Sequence, residues 1–507
     1  MTGLLQSSRT QNAEHRKQSK KTPPHHVRQH GQQGAHSIVY RGGTRVASIN
    51  GLLWKGVVMR RRTFLGGLLA SAGASLRGSV SRADLEIRQN TSPESNHLPQ
   101  AIPSIGTVVE PARQVPVVAN TDVLVIGGGP AGVAAAISAA RAGADTVLVE
   151  RYNHLGGLWT GGLVLPLLST HATDEQGRYR KVLGGIGDEM ATKLTAMKMA
   201  IHEVDPVIDP EAAKYLLDVM TKECGVKVFY HCWASNVTVK DDIIKTVFLE
   251  SKSGRVAMTC RVVIDCTGDG DILHLAGNEY DTMNYHIGLV HRLGNIDTID
   301  KTKPGYRPLK LGNPTPIAGV NWVNMQGDRN QDGTNLMTLS TLQQKYRIQI
   351  WERLQKIRDV PGHEQVFLLD TASQLGVRMS RILKGQYCLT LKDSMTYRAF
   401  GDTVGISGAW TTLLYEGKRV EVKKRPLWQI PYRSLVPRKT KNLLVAGRCF
   451  SFEKALVEDT RIIGTCLVTG HAAGAAAAVA VQQNTHVQDN DIVRIQSLLK
   501  QQKANLG

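Results

Sequence analysis

Between Asn284 and Asn295 the chain reads NYHIGLVHRLGN, and on an extended strand the alternation of side chains puts His286, Gly288, Val290 and Arg292 on one face. A histidine so placed can accept a proton near neutral pH, and an arginine farther along the same face can orient an anionic or polar molecule. The glycine between them leaves room for that molecule. His291 shares the other face with Ile287 and Leu289 and reads as a core histidine. A second set, Arg378, Arg381 and Tyr387, lies in GVRMSRILKGQY. On sequence alone, a polar strand edge and solvated helix arginines account for both sets equally well. A more specific pattern is the turn Gly127-Gly128-Gly129-Pro130-Ala131-Gly132, which satisfies GxGxxG and is followed by Glu150, 23 residues after Gly127. Gly127 permits a tight turn, Gly129 lets backbone approach a pyrophosphate, and Gly132 lets the following helix pack close to its strand. A carboxylate at Glu150 can accept the hydroxyls of a ribose.

These residues need a βαβ unit to hold them. Asp122 to Ile126 reads as a buried parallel strand, 131–142 as an Ala-rich helix ended by Gly143, and Thr146 to Val149 as a second strand. The helix N-terminus would offer unpaired N–H groups and a positive dipole to phosphates. After Glu150 comes Arg151-Tyr152-Asn153-His154-Leu155-Gly156-Gly157-Leu158-Trp159-Thr160, a glycine-rich stretch that allows backbone to run along an extended ligand. An amphipathic helix is expected at about 210–223, then strands near 226–231, 235–240, 243–250 and 256–264, forming a meander across the parallel sheet. The last ends in Asp265-Cys266-Thr267-Gly268-Asp269. Near the C-terminus, Asn442 to Arg448 reads as another strand ending on glycine, and Thr469-Gly470-His471-Ala472-Ala473 as the opening of a helix.

With these motifs in order, the sequence resembles the FAD-dependent oxidoreductases of the two-dinucleotide-binding-domain flavoprotein superfamily. More narrowly it is similar to a bacterial family carrying Ile430-Pro431-Tyr432-Arg433-Ser434-Leu435-Val436-Pro437, Leu443 to Arg448, Arg461, Thr465-Cys466 and Gly470 to Ala478. The resemblance spans about 120–482. It implies an α/β fold: a Rossmann-like FAD domain assembled from 121–283 and 436–482 with a β-meander, and an inserted α+β substrate domain at 284–435. It also implies that Thr267, Gly268 and Asp269 meet the phosphate side of FAD, with Arg151, Gly156, Gly157, Thr160 and Ala234 also on the cofactor. Gly447, Arg448 and Arg461 would hold it with the helix from Thr469, whose dipole would face reduced flavin. His471 stands where the family pattern has Gln. Arg378 and Arg381 are placed near the active site by the same resemblance.

The charge balance fits this reading once it is mapped. The 507 residues carry a net +19, but residues 1–120 hold 16 Lys and Arg against 5 Asp and Glu, leaving +8 for the other 387. Residues 1–58 lack apolar periodicity and read as a disordered basic leader ahead of Met59, the expected true start. Residues 59–82 open with Met59-Arg60-Arg61-Arg62-Thr63-Phe64-Leu65 and look like a twin-arginine export signal, with 83–120 as linker and 483–507 as a C-terminal helix or tail. The expected location is therefore periplasmic, and the export machinery is a partner. The basic stretch RTQNAEHRKQSKKTPPHHVRQHGQQG has no aromatic residues interleaved with its charges, which speaks against nucleic acid, and the apolar run Phe64 to Leu69 in the expected signal is too short to span a membrane. Seven cysteines include no CxxC, so no zinc or iron–sulfur site is expected. Cys260 and Cys266, six residues apart on one strand, lie roughly 20 Å apart at ~3.3 Å per residue, out of disulfide reach. No second GxGxxG is present to receive a nicotinamide cofactor. The sequence thus points to hydride transfer between a small polar substrate and FAD, with electrons leaving to oxygen, a quinone or an acceptor protein. A fumarate-reductase-like ene reductase fed by a partner and a non-enzymatic flavin-binding surface protein are the alternatives.

Overall fold

The computed structural model describes residues 105–408, 412–415, 418–421 and 426–507, with side chains described outside 409–425. The expected leader, export signal and most of the linker lie outside the described residues.

Seven strands form the main sheet: β1 (Val117–Ile126), β2 (Thr146–Val149), β3 (Lys227–Phe229), β4 (Trp233–Lys240), β5 (Ile243–Ser251), β6 (Gly254–Asp265) and β7 (Leu443–Val445). The parallel part runs β3-β2-β1-β6-β7. β6 serves two structures: Gly254–Met258 pairs antiparallel with β5, and Val263–Asp265 pairs parallel with β7. Only β4, β5 and β6 make the meander. The segment near 226–231, read from sequence as its first strand, is instead the third parallel strand, hydrogen-bonded to β2. Its three ordered residues are too few for alternation to distinguish the two settings.

Side-chain alternation divides the core in two. Val123, Val125, Leu148 and Ile264 face the helical layer, while Leu124, Ile126, Val147, Val149 and Val263 face the meander. The helical layer pairs α1 (Pro130–Arg141) with α4 (Ile463–Gln483), flanked by α2 (Pro210–Glu223). α2 starts where Asp209 accepts the Ala212 N–H at 2.9 Å. A Cβ on Gly470 would lie 2.0 Å from the Ala131 carbonyl oxygen, and one on Gly474 2.1 Å from that of Ala135. The glycines, four residues apart, therefore let α4 lie directly against the backbone of α1. By length and composition α4 would suit a membrane, but 94% of its apolar window is buried in the protein, which makes it a core helix. It begins at Ile463, so Thr469 stands in its interior and not at its opening.

The segment 284–295 is not one strand. It breaks at Leu289-Val290 into Tyr285–Gly288, paired with Asp328–Gln331 and Gly376–Val377, and His291–Gly294, paired with Asn321–Val323 and Phe367–Thr371. The two halves join different sheets, so His286 and Arg292 share no face. α3 (Leu336–Arg358) buries Leu342, Tyr346 and Ile350 into the same core that holds α1 and α4. β1 begins at Val117, inside the expected linker. The C-terminal segment forms α5 (Ile492–Gln501), capped by Asp491. All seven cysteines are thiols.

Candidate active site

The C-terminal ends of β1, β6 and β7 open into a groove. It lies where the chain leaves β1 toward β2 on one side and β6 on the other, the crevice such sheets offer to ligands. Gly127 turns there with φ +99°, and a Cβ on it would meet the Cys266 carbonyl at 2.5 Å. A Cβ on Gly132 would meet the Gly127 carbonyl at 1.7 Å, so only glycine lets α1 start against the turn. Around Gly129, by contrast, nothing lies within 4 Å of the Cβ position: open space reaches the backbone. The N-terminus of α1 has no side-chain cap, and Pro130 and Ala131 line the groove. This is the donor arrangement that receives a phosphate.

Glu150 braces the turn as well as facing the groove. Its Oε2 accepts the Gly128 N–H at 2.6 Å and its Oε1 the Tyr152 N–H at 2.8 Å. Burial pushes its carboxyl up, against the pull of those two amides. Beside it the Arg151 guanidinium sits 5.0 Å from the ring centres of both Tyr152 and Trp233, a cation–π stack on the groove wall with Ala234 next to it.

Asp269 is the polar hub of the floor. It accepts Ser380 Oγ and Arg448 Nη2, each at 2.7 Å, and lies 3.9 Å from Arg151, while its backbone carbonyl accepts Arg381 Nη1 at 2.9 Å. Burial pushes the Asp269 carboxyl up, but Arg448 and Arg151 outweigh it and hold it below the ordinary range. The Asp265 carboxylate fastens this loop by accepting Thr267 N–H at 3.0 Å, Thr267 Oγ at 2.7 Å and Leu273 N–H at 2.8 Å. Asp271 receives Arg381 at 3.0 Å, yet burial and the charges of Asp269 and Asp265 raise its carboxyl to about 6. Two buried donors on the groove wall, Arg448 Nη1 and Arg461 Nε, have no partner among the described residues. Together with the uncapped helix and the space at Gly129, they fit a diphosphate-bearing dinucleotide such as FAD.

Arg461, Ile463 and Cys466, at the start of α4, also line the groove. Arg461 is held by Glu458, whose other oxygen accepts the Tyr285 hydroxyl at 2.5 Å. Burial pushes Glu458 up, but Arg461, the Tyr285 hydroxyl and Arg378 together hold it below its ordinary range; burial and Glu458 push the Tyr285 phenol to about 12. Arg378 adds its charge to this cluster, and His286 lies beside it, its ring centre 4.9 Å from that of Tyr285.

The structure thus brings Gly127, Gly129, Pro130, Ala131, Glu150, Arg151, Gly157, Ala234, Thr267, Gly268, Asp269, Gly447, Arg448 and Arg461 to one groove. It places Gly132, Gly156, Thr160, Thr469, Gly470, Ala472 and Ala473 behind the wall. Thr160 donates to the Leu155 carbonyl at 2.5 Å, and Thr469 Oγ accepts the Gly447 N–H at 3.0 Å, so both shape backbone that lines the groove. Arg292 is elsewhere: Asp370 takes its Nη2 at 2.6 Å and its Nε at 3.0 Å, and Asp209 lies 3.7 Å from Nη1. His471 is far from catalytic use, being buried, bonded to Gln502 at 2.8 Å and lowered by burial to about 4. The cluster of Tyr285 and Glu458, and the wall residues Tyr152, Trp233 and Gln374, were not read from sequence. A buried Glu three residues before an Arg that begins a long apolar helix was the available signal for the first.

A family model described as FAD dependent oxidoreductase matches residues 122–499. Among curated proteins, the thiamine thiazole synthase of Aeropyrum pernix is 32% identical over 127 residues, 25% of this chain and 40% of the relative. That of Methanothermobacter thermautotrophicus is 30% identical over 156 residues, 29% of this chain and 55% of the relative. The chain thus spans about half the length of these relatives. Among solved structures, a geranylgeranyl bacteriochlorophyll reductase-like protein from Thermoplasma acidophilum is 15% identical with a TM-score of 0.39, over 75% of this chain and 83% of that one. The p-nitrophenol 4-monooxygenase PnpA from Pseudomonas putida is 11% identical with a TM-score of 0.38, over 75% and 83%.

Proposed function

The chain belongs to the FAD-dependent oxidoreductase family, and from that premise we propose that it is exported by the twin-arginine route and transfers a hydride between a small polar substrate and FAD. Oxygen, a quinone or an acceptor protein would then take the electrons. FAD supplies the hydride acceptor; the protein supplies binding, orientation and proton handling. The observation that carries this reading is the pair of buried donors without a partner among the described residues, Arg448 Nη1 and Arg461 Nε, beside the uncapped helix and the open space at Gly129; a second chamber adjoins the groove at Arg151. The two share Arg151, Asp269 and Gln374, and the chamber adds Thr334, Ser340, Gln343, Ser373 and Arg381. Such a wall of hydroxyls, amides, two guanidinium groups and the carboxylates of Asp269 and Asp271 suits a molecule with several hydroxyl groups.

In this reading Gly129, Ala131, Arg448 and Arg461 hold the diphosphate, and Glu150 with Arg151 holds the adenosine. Arg381, on the chamber wall, orients the substrate and Arg292 braces the fold beneath, while Arg378 and His286 line neither the groove nor the chamber. Purified protein should be yellow, and anaerobic titration with sugars, hydroxy acids and amines should bleach the flavin with one class of them. A chain that takes up no flavin on reconstitution, or a flavin that none of these reduces, would overturn the proposal.

A further inference from the structure

The outer face of α3 has no partner among the described residues, and its pattern is that of a helix lying on lipid. Leu342, Tyr346, Ile350, Leu354 and Ile357 are buried on one side. Directly opposite, Met337, Ile348 and Trp351 fall within about 60° of one another on a helix of 3.6 residues per turn, a sector they share with Gln344 and Gln355. The three apolar residues are 56%, 59% and 55% exposed, where a solvated helix would carry charge. Basic residues border this stripe on both sides: Arg347 and Arg358 along one edge, Lys345 and Lys356 along the other. Glu352 is the one acid on the outer face, and Lys345 shares its charge with Asp328 at 2.6 Å.

We propose that α3 seats the protein on an anionic lipid bilayer, with Met337, Ile348 and Trp351 entering the headgroup boundary and the flanking basic side chains reaching the phosphates. Lys and Arg can lay their aliphatic stems along the apolar stripe while their heads stay in the polar layer, and Trp prefers that interface. The excess of +8 carried by residues 121–507 favours the same surface. A second copy of the chain is a poorer occupant. A two-fold contact through this face would bring each basic border against its own kind. The first turn of α3 also contributes Leu336, Leu339 and Ser340 to the wall of the outer chamber, so docking and access to the chamber share one element.

The test is flotation of the FAD-loaded full chain with vesicles of phosphatidylglycerol and phosphatidylcholine, against vesicles of phosphatidylcholine alone. The protein should rise with the anionic vesicles and release as salt increases, since headgroup attraction is screened. The double variant Ile348→Glu, Trp351→Glu should bind about tenfold less or weaker still, with flavin content and melting temperature unchanged. Absence of binding to anionic vesicles would overturn the proposal. So would a double variant that binds as the parent does, because another segment would then be responsible. Light scattering that shows a dimer abolished by the double variant would assign the face to self-association instead and refute lipid docking.

Discussion

Arg292 separates a scaffold role from a catalytic one. Its guanidinium makes contacts of 2.6, 3.0 and 3.2 Å to Asp370 and lies 3.7 Å from Asp209. The two carboxylates do not lose equally on Arg292→Met. The Asp370 side chain is 35% exposed and can rehydrate, whereas that of Asp209 is 10% exposed and keeps only backbone amides such as Ala212 N–H. Removing one partner of a fully buried pair costs about 3–5 kcal/mol; with half the pair open to water, about 2–4 kcal/mol is the expected loss. For a chain of this size that is roughly 2–5 °C in melting temperature. Because unfolding of a large protein is often irreversible, parent and variant should be compared at one scan rate. The variant's folded fraction should be reduced by substrate at the parent's rate. An Arg292→Met protein that melts with the parent but whose flavin is bleached a hundredfold more slowly would refute the structural assignment and return Arg292 to the substrate. Adding Asp370→Leu should not restore stability, since the uncompensated charge is that of Asp209.

Three further outcomes follow from the same geometry. Gly132→Ala should abolish flavin binding and lower stability by about 1–3 kcal/mol or more, because the added methyl falls 1.7 Å from the Gly127 carbonyl; flavin content against melting temperature reads this. Glu458→Gln should free Arg461 and lower the Tyr285 pKa, which is raised by burial and by that carboxylate, so a spectrophotometric tyrosine titration should show one phenol ionising nearer its ordinary range. Asp271 has a folded pKa of about 6, above the ordinary 3.8, so its contribution to stability is full below 3.8 and is lost as pH rises through 6. Asp271→Asn should therefore flatten the stability profile between about pH 4 and 6, and a variant that keeps the parental slope would place the titrating group elsewhere.

The βαβ unit was readable because each of its parts is local: a run of four buried apolar residues, three glycines with separate steric tasks, and an acid closing the second strand. Three of the four expected meander strands and the C-terminal strand were readable for the same reason; 226–231 was not, because its parallel partner lies about 80 residues back in the chain. What failed was long-range. Nothing within NYHIGLVHRLGN shows that Leu289-Val290 breaks the strand, because the break is imposed by two partner sheets contributed from 321–331 and 367–377. Arg292 could not be distinguished from a ligand-facing arginine without knowing that Asp370, 78 residues later, reaches it. The start of α4 was misplaced because Thr469-Gly470 reads as a helix opening whose dipole faces the flavin, whereas the small size of Gly470 and Gly474 serves the contact with α1. The wall residues Trp233 and Gln374 come from segments with no motif of their own.

The contact between α1 and α4 joins parts of the chain that are made far apart in time. Gly470 and Gly474 reach Ala131 and Ala135 across about 340 residues, and at ~5–20 residues per second the nascent α1 waits on the order of 20–70 s for its partner. Until then an Ala-rich helix face is bare and Arg448 and Arg461 do not yet exist, so the groove cannot retain its ligand during synthesis. Loading must follow synthesis of α4, in whichever compartment the chain first closes. A chain translocated before folding would have to find its flavin outside.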